Sequence, residues 1–111
     1  MTKEQLRTYR KIKDEHRQIE QRLHALESRP ERDEDILRPL VELYRVKLQR
    51  LTDAQIAIEN AIEVLGFTER KLIRLRYLDG LPWHRVAVAL GYCEQHVLRL
   101  HGEALLKLRR V

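Results

Sequence analysis

Four side chains able to make specific hydrogen bonds lie within six residues near the C-terminus: Glu94, Gln95, His96 and Arg99. A guanidinium can bond guanine bidentately, a glutamine amide can pair with adenine, and a carboxylate can accept from cytosine. A helix in the major groove of duplex DNA presents such side chains from its N-terminal end. The four residues are therefore candidates for base reading if a helix begins near Glu94. The alternative is an ordinary solvated helix face.

The residues around this cluster predict two short helices joined by a tight turn. Val86 and Leu90 are four residues apart and share one face of a first helix. Gly91 follows where the chain must turn with positive φ, which glycine does at least cost. Val97 and Leu100 share one face of a second helix, predicted from about Glu94 to Arg110. Two short helices joined by a Gly-containing turn form a helix-turn-helix.

A third helix precedes this pair and completes a tri-helical unit. Gly66 is expected to end the helix before it as the C′ residue, and Thr68 to cap the new helix. Asp79 and Gly80 predict a turn, and Pro82 suits the first turn of the next helix. The apolar positions predict a small core of Leu72, Leu75, Leu78, Trp83, Val86, Leu90, Val97, Leu100, Ala104 and Leu108.

The positive charge is concentrated in the same part of the chain. Residues 1–65 contain 13 basic and 13 acidic residues, whereas residues 66–111 contain 9 basic and 4 acidic ones, which accounts for the whole net charge of +5. A basic helix-turn-helix unit favours a polyanionic partner, namely double-stranded DNA. The candidates for phosphate contacts, which position a protein without specifying sequence, are Arg70, Arg74, Arg85, Lys107, Arg109 and Arg110.

Three segments, 68–80, 83–92 and 96–105, resemble region 4 of sigma-70 factors. More narrowly, they are similar to small phage-encoded regulators of the RinA/ArpU type. The resemblance implies regulatory DNA binding together with RNA polymerase and control of phage late, packaging or lysis genes. Two positions depart from the family pattern, because Cys93 and Pro82 stand where Ser or Thr is usual. Cys93 is either a replaced helix cap or an oxidant-sensing thiol.

Residues 1–65 predict a long, coiled-coil-like helical hairpin that serves oligomerisation or partner binding. Apolar side chains repeat at spacings of three and four through residues 3–28, and His16 falls within this seam. Pro30 and the charged run after it predict the turn, with Asp33 or Asp35 capping a second helix that starts between Ile36 and Pro39 and ends near Leu65. That helix either continues through Thr52 or restarts at Asp53. The seams can pair within one chain or between two, and we expect a homodimer.

The expected fold is thus all-α, with a hairpin over 1–65 and a DNA-binding domain over 66–111. No arrangement of residues indicates an enzyme, a metal site or a cofactor; Cys93, His96 and His101 are badly placed for zinc. No run is long and apolar enough to cross a membrane, and the single cysteine fits a reducing bacterial cytoplasm. Two alternatives to a transcription regulator stay open: the DNA-recognition subunit of a phage packaging complex, like a small terminase, and an adaptor that binds RNA polymerase alone.

Overall fold

The computed structural model describes residues 1–29 and 34–111, and these residues form helices and no strands. The helices are α1 Lys3–Arg7, α2 Tyr9–Glu27, α3 Glu34–Ile62, α4 Phe67–Ile73, α5 Trp83–Leu90 and α6 Glu94–Leu108, and a π-helical segment, Arg74–Leu78, continues α4. The predicted all-α class is confirmed, with a helical hairpin followed by a tri-helical helix-turn-helix unit. The predicted turn at Pro30 and the cap by Asp33 lie outside the described residues.

The chain divides into two compact units, Lys11–Ile56 and the combination of Met1–Arg10 with Ala57–Val111. This grouping differs from the predicted division at residue 65. The physical reason is burial: Leu6 and Tyr9 near the start of the chain are buried within the same unit as Ile62 and Leu65. We call the unit made of the first ten residues and residues 57–111 the C-terminal unit, and Lys11–Ile56 the hairpin unit.

In the hairpin unit, α2 and α3 run antiparallel and pair within the chain. His16 on α2 lies 3.0 Å from the Thr52 hydroxyl on α3, and further along α2 Glu27 pairs with Arg45 at 2.6 Å. The Thr52 hydroxyl donates its proton to the Leu48 carbonyl at 2.9 Å, so its oxygen accepts from His16 Nε2. His16, the polar residue predicted within the seam, therefore makes a defined hydrogen bond across the hairpin.

The open question about Thr52 is answered by the continuity of α3 through residues 48–56. Thr52 bonds back to the carbonyl four residues earlier instead of capping a new helix. α3 begins at Glu34, earlier than predicted, so Asp35 lies inside it. It also contains Pro39, although proline removes one backbone donor from a helix.

Several predicted features of helix boundaries are wrong. Pro82 is the N-cap of α5 and does not lie in its first turn, and α3 ends at Ile62 instead of near Leu65. The single helix over 3–28 is divided at Thr8, whose hydroxyl donates to the Gln5 carbonyl at 2.6 Å. Gly66 is not a C′ residue in the left-handed region, since its φ of −65° and ψ of 168° are extended and it stands as the N-cap of α4. Thr68 consequently lies inside the first turn of α4 and does not cap it. The last helix ends at Leu108 instead of Arg110, a difference within ordinary fraying.

The core of the C-terminal unit is close to the predicted one. Leu72, Val86, Val97, Ala104 and Leu108 are fully buried or nearly so. The remaining predicted core residues are Leu78, which is also buried, and Leu75, Trp83, Leu90 and Leu100, which are only half-buried. The structure adds buried apolar residues that the prediction for residues 66–111 did not include: Leu6, Tyr9, Ile58, Ala61, Ile62, Leu65, Ile73, Tyr77 and Ala87.

No helix among those described is long and apolar enough to cross a lipid bilayer.

Gly91 and Gly102 provide a matched pair for testing backbone conformation. Gly91 has φ +74° and open space around its missing Cβ, so Gly91→Ala adds only backbone strain and should destabilise the protein by about 1 kcal/mol. Gly102 lies inside α6, also with open space, so Gly102→Ala should stabilise by up to about 1 kcal/mol. Urea unfolding of both variants measures this; equal effects of the same sign would contradict the assignment of Gly91 to a left-handed cap.

Candidate nucleic-acid interface

The turn between α5 and α6 is built around Gly91, as predicted. Its φ of 74° and ψ of 28° lie in the left-handed region, and its amide donates to the Ala87 carbonyl at 2.9 Å. The Tyr92 amide donates to the same carbonyl at 3.1 Å, so the end of α5 is tightly closed. Cys93 then takes an extended conformation as the N-cap of α6, is exposed, and makes no side-chain capping bond.

The inner face of α6 is fixed by apolar packing and by one buried polar residue. Val97, Ala104 and Leu108 have no exposed surface, and their spacing places them on one side of the helix. His101 lies between them and is only 8% exposed. A buried imidazole is costly unless its nitrogens are bonded, so its partners determine how α6 is held.

His101 connects α6 to two other elements of the C-terminal unit. Its Nε2 shares a hydrogen bond of 2.5 Å with the Tyr77 hydroxyl of the π-helical segment. The Trp83 ring at the start of α5 contacts it edge-on, with 4.7 Å between ring centroids. The Arg76 guanidinium in turn lies 4.4 Å from the centre of the Trp83 ring, a cation–π distance. This chain of contacts sets the positions of α5 and α6 relative to each other.

Burial, together with the nearby positive charges of Lys3, Arg76 and Arg7, lowers the pKa of His101 to about 4. The folded protein therefore holds a neutral imidazole, to which the Tyr77 hydroxyl donates. Burial also raises the pKa of Tyr77, so that hydroxyl stays protonated. The sequence does not predict this core role of His101, because its hydrogen-bond partner, Tyr77, is 24 residues away.

The outer face of α6 carries the predicted base-reading residues. Glu94, Gln95 and Arg99 are exposed, and His96 is half-buried. Gln95 and Arg99 are about one helical turn apart, and they lie on the side of α6 opposite Val97 and Ala104. Leu98 is 48% exposed and adds an apolar side chain beside them. The geometry leaves these side chains available to a partner of α6.

His96 and Arg99 are joined in the free protein. Arg99 Nη2 lies 2.6 Å from His96 Nδ1, and because a guanidinium has no acceptor, Arg99 donates. The Tyr92 ring contacts His96 edge-on, with 4.6 Å between centroids. Two of the four predicted residues thus form one supported group, in which His96 restrains the direction of Arg99.

Three of the predicted phosphate-contacting residues form ion pairs within the C-terminal unit. Arg70 lies 2.9 Å from Glu63, and Arg74 lies 2.9 Å from Glu59 and 3.3 Å from Glu63. Tyr9 also donates to Glu59 at 2.8 Å, and the burial of its ring together with this carboxylate raises the pKa of Tyr9 to about 12. These contacts tie the end of α3 to α4 and to the π-helical segment.

The third paired residue, Lys107 near the end of α6, lies 2.5 Å from Glu69 on α4. The other three predicted phosphate contacts, Arg85, Arg109 and Arg110, are exposed and have no carboxylate within ion-pair distance in the described part of the chain. These three side chains are therefore more available to an anionic partner than the paired ones.

No group of three His, Cys, Asp or Glu side chains among the described residues is arranged to hold a metal ion. Of the three residues described above as badly placed for zinc, His101 points into the core towards Tyr77, whereas Cys93 is exposed.

The fold and the site together define a helix-turn-helix domain whose second helix, α6, has an exposed outer face. Comparison with known families agrees, because residues 61–110 match the family described as Sigma-70, region 4. The match covers a little under half of the chain, supports a protein similar to sigma-70 region 4, and implies DNA binding and a role in transcription regulation. That family is a DNA-binding one and is not enzymatic. Comparisons with curated proteins and with solved structures gave no significant match.

The buried, neutral His101 predicts a loss of stability in mild acid. An unfolded histidine titrates near pH 6.5, so between about pH 6.5 and pH 4 the unfolded chain binds a proton that the folded chain does not. Stability is therefore complete above pH 6.5 and decreases as the pH falls, by about 1–2 kcal/mol at pH 5. Urea unfolding at about pH 7 and pH 5 measures the difference. His101→Gln should be less stable at pH 7 but lose most of this pH dependence; an unchanged pH dependence in the variant would argue against His101 as its source.

Proposed function

We propose that the protein is a sequence-specific, double-stranded DNA-binding transcription regulator that acts with RNA polymerase. The observation that carries this proposal is the outer face of α6, where Gln95 and Arg99 are exposed while the inner face is locked by His101. A base-reading helix needs this combination, since side chains that specify sequence must be held in a fixed direction. The match to Sigma-70, region 4 supports the same function.

The charge of the C-terminal unit supports a DNA partner. It contains 12 basic and 7 acidic residues, whereas the hairpin unit contains 10 of each. Arg85, Arg109 and Arg110 are the side chains that we propose for phosphate contacts. Arg70, Arg74 and Lys107 would have to exchange a carboxylate partner for a phosphate, so we propose smaller contributions from them.

We further propose that the hairpin unit brings two copies together. Apolar side chains on α3 support this: Leu43 and Val46 are about half exposed, and Ile36 is 70% exposed. A two-fold dimer of helix-turn-helix domains binds two half-sites that are one helical turn or a multiple of it apart, about 34 Å for one turn. Light scattering tests this proposal, since a dimer fits a regulator and a larger ring fits the packaging alternative.

The resemblance to phage regulators supports phage genes as the target, read in the cytoplasm of a bacterial host. Footprinting on phage DNA, combined with a pull-down of RNA polymerase, tests both partners. Polymerase binding without any DNA protection would favour the adaptor alternative. The most informative experiment is selection of bound duplexes from a random pool at two salt concentrations, because base contacts and phosphate contacts respond differently to salt.

Arg99 and Arg109 should have separable effects on DNA binding. Arg99→Ala removes a candidate bidentate contact to guanine and should reduce discrimination between the selected site and a scrambled one by about 1–3 kcal/mol. Arg109→Ala should weaken binding to both duplexes alike and reduce the salt slope by about 1. Fluorescence anisotropy on the two duplexes measures this. Identical behaviour of the two variants on both duplexes would show that Arg99 does not read a base.

A further inference from the structure

A small pocket in the C-terminal unit is surrounded by arginines that the predicted DNA interface does not include. Its volume is about 240 Å³, and its walls are formed by Arg7, Arg10, Arg76, Tyr77 and Gly80. Arg7 ends α1 and Arg10 lies in the first turn of α2, whereas Arg76 belongs to the π-helical segment. Residues separated by about 70 positions in the chain therefore bring three arginines around one space.

Two of the walls are held in place by contacts within the unit. Arg76 donates to the Leu81 carbonyl at 3.1 Å and lies against the Trp83 ring, which fixes its direction. Gly80 has φ +72°, and a Cβ built on it would overlap the Arg10 guanidinium. Glycine at position 80 therefore lets the Arg10 guanidinium lie directly against the backbone of the turn that precedes α5.

The arginines of this pocket form no ion pairs within the described part of the chain. No carboxylate there lies within ion-pair distance of Arg7, Arg10 or Arg76. This contrasts with Arg70, Arg74 and Lys107 in the same unit, each of which has an acidic partner. Bringing like charges together costs free energy that an anion in the pocket would recover.

We propose that the pocket formed by Arg7, Arg10, Arg76 and Gly80 binds a phosphate group. Guanidinium groups have planar, forked donors that match phosphate oxygens. Groups that converge from separate segments suit a tetrahedral anion with several acceptor oxygens better than a flat carboxylate. The phosphate has two possible sources, a phosphodiester of bound nucleic acid or a free phosphate anion. The site does not depend on base reading by α6, and so the inference and the proposed function can fail separately.

The test compares the full-length protein with Arg7→Gln/Arg10→Gln. The matched control, Lys13→Gln/Arg38→Gln, removes the same charge from exposed positions of the hairpin unit. Calorimetric titration with pyrophosphate, the probe for a free anion, forms one arm. Salt-dependent binding of a duplex DNA, the probe for a phosphodiester, forms the other. Circular dichroism verifies that both variants are folded, as expected for exposed side chains.

For a nucleic-acid phosphate, the Arg7→Gln/Arg10→Gln variant should bind matched and scrambled duplexes more weakly, with a salt slope lower by about 1 and the control unchanged. For a free phosphate, the variant should lose pyrophosphate binding by about tenfold or more while its duplex binding stays as in the wild type. Arg7→Lys/Arg10→Lys keeps the charge but not the fork, and should be intermediate. The inference is overturned if neither probe distinguishes the variant from wild type, if the control loses as much, or if the wild type binds neither probe.

Discussion

One buried hydrogen bond, between the Tyr77 hydroxyl and His101 Nε2, orients α6 within the apolar core of the C-terminal unit. An unbonded imidazole in the core would cost free energy, so α6 can only be seated where Tyr77 reaches it. Trp83 completes the same site from the start of α5. Because the π-helical continuation of α4, the start of α5 and the inner face of α6 meet at His101, this residue links three elements of the small tri-helical unit. That contact therefore helps to determine the direction in which the outer face of α6 points.

The first ten residues belong to this arrangement as much as the last fifty do. Leu6 and Tyr9 are buried in the C-terminal unit, and Tyr9 donates to Glu59, which also pairs with Arg74. A tri-helical domain of about 45 residues has little core of its own and gains from any additional apolar cover. The N-terminal segment supplies that cover, and it also places Lys3, Arg7 and Arg10 in the basic unit. The family match, which begins at residue 61, does not include this segment.

Local patterns predicted the helices well, and contacts distant in sequence were harder to foresee. The spacing of Val86, Leu90 and Val97 with Gly91 between them is enough to define the helix-turn-helix, because each feature acts within a few residues. The prediction of Gly66 as a C′ residue is wrong because a C′ residue and an N-cap both favour glycine, and only φ distinguishes them. The partner of His101 could not be predicted, since nothing near it in sequence identifies Tyr77. The exposed face of α6 could be predicted, because its residues follow from helical periodicity alone.

The distribution of cations in the C-terminal unit shows why net charge is an incomplete guide to a nucleic-acid surface. Its +5 comes from three populations that the sequence does not distinguish. One population is paired with carboxylates and stabilises the fold; Arg74 and Lys107 belong to it. A second is exposed and unpaired among the described residues, as Arg109 is. The third, which includes Arg10 and Arg76, lines one pocket and forms no ion pair among the described residues. A phosphate must compete with a carboxylate for the first population but not for the second or the third. Ordering an exposed side chain costs entropy, so the same formal charge need not contribute equally to phosphate binding in each setting.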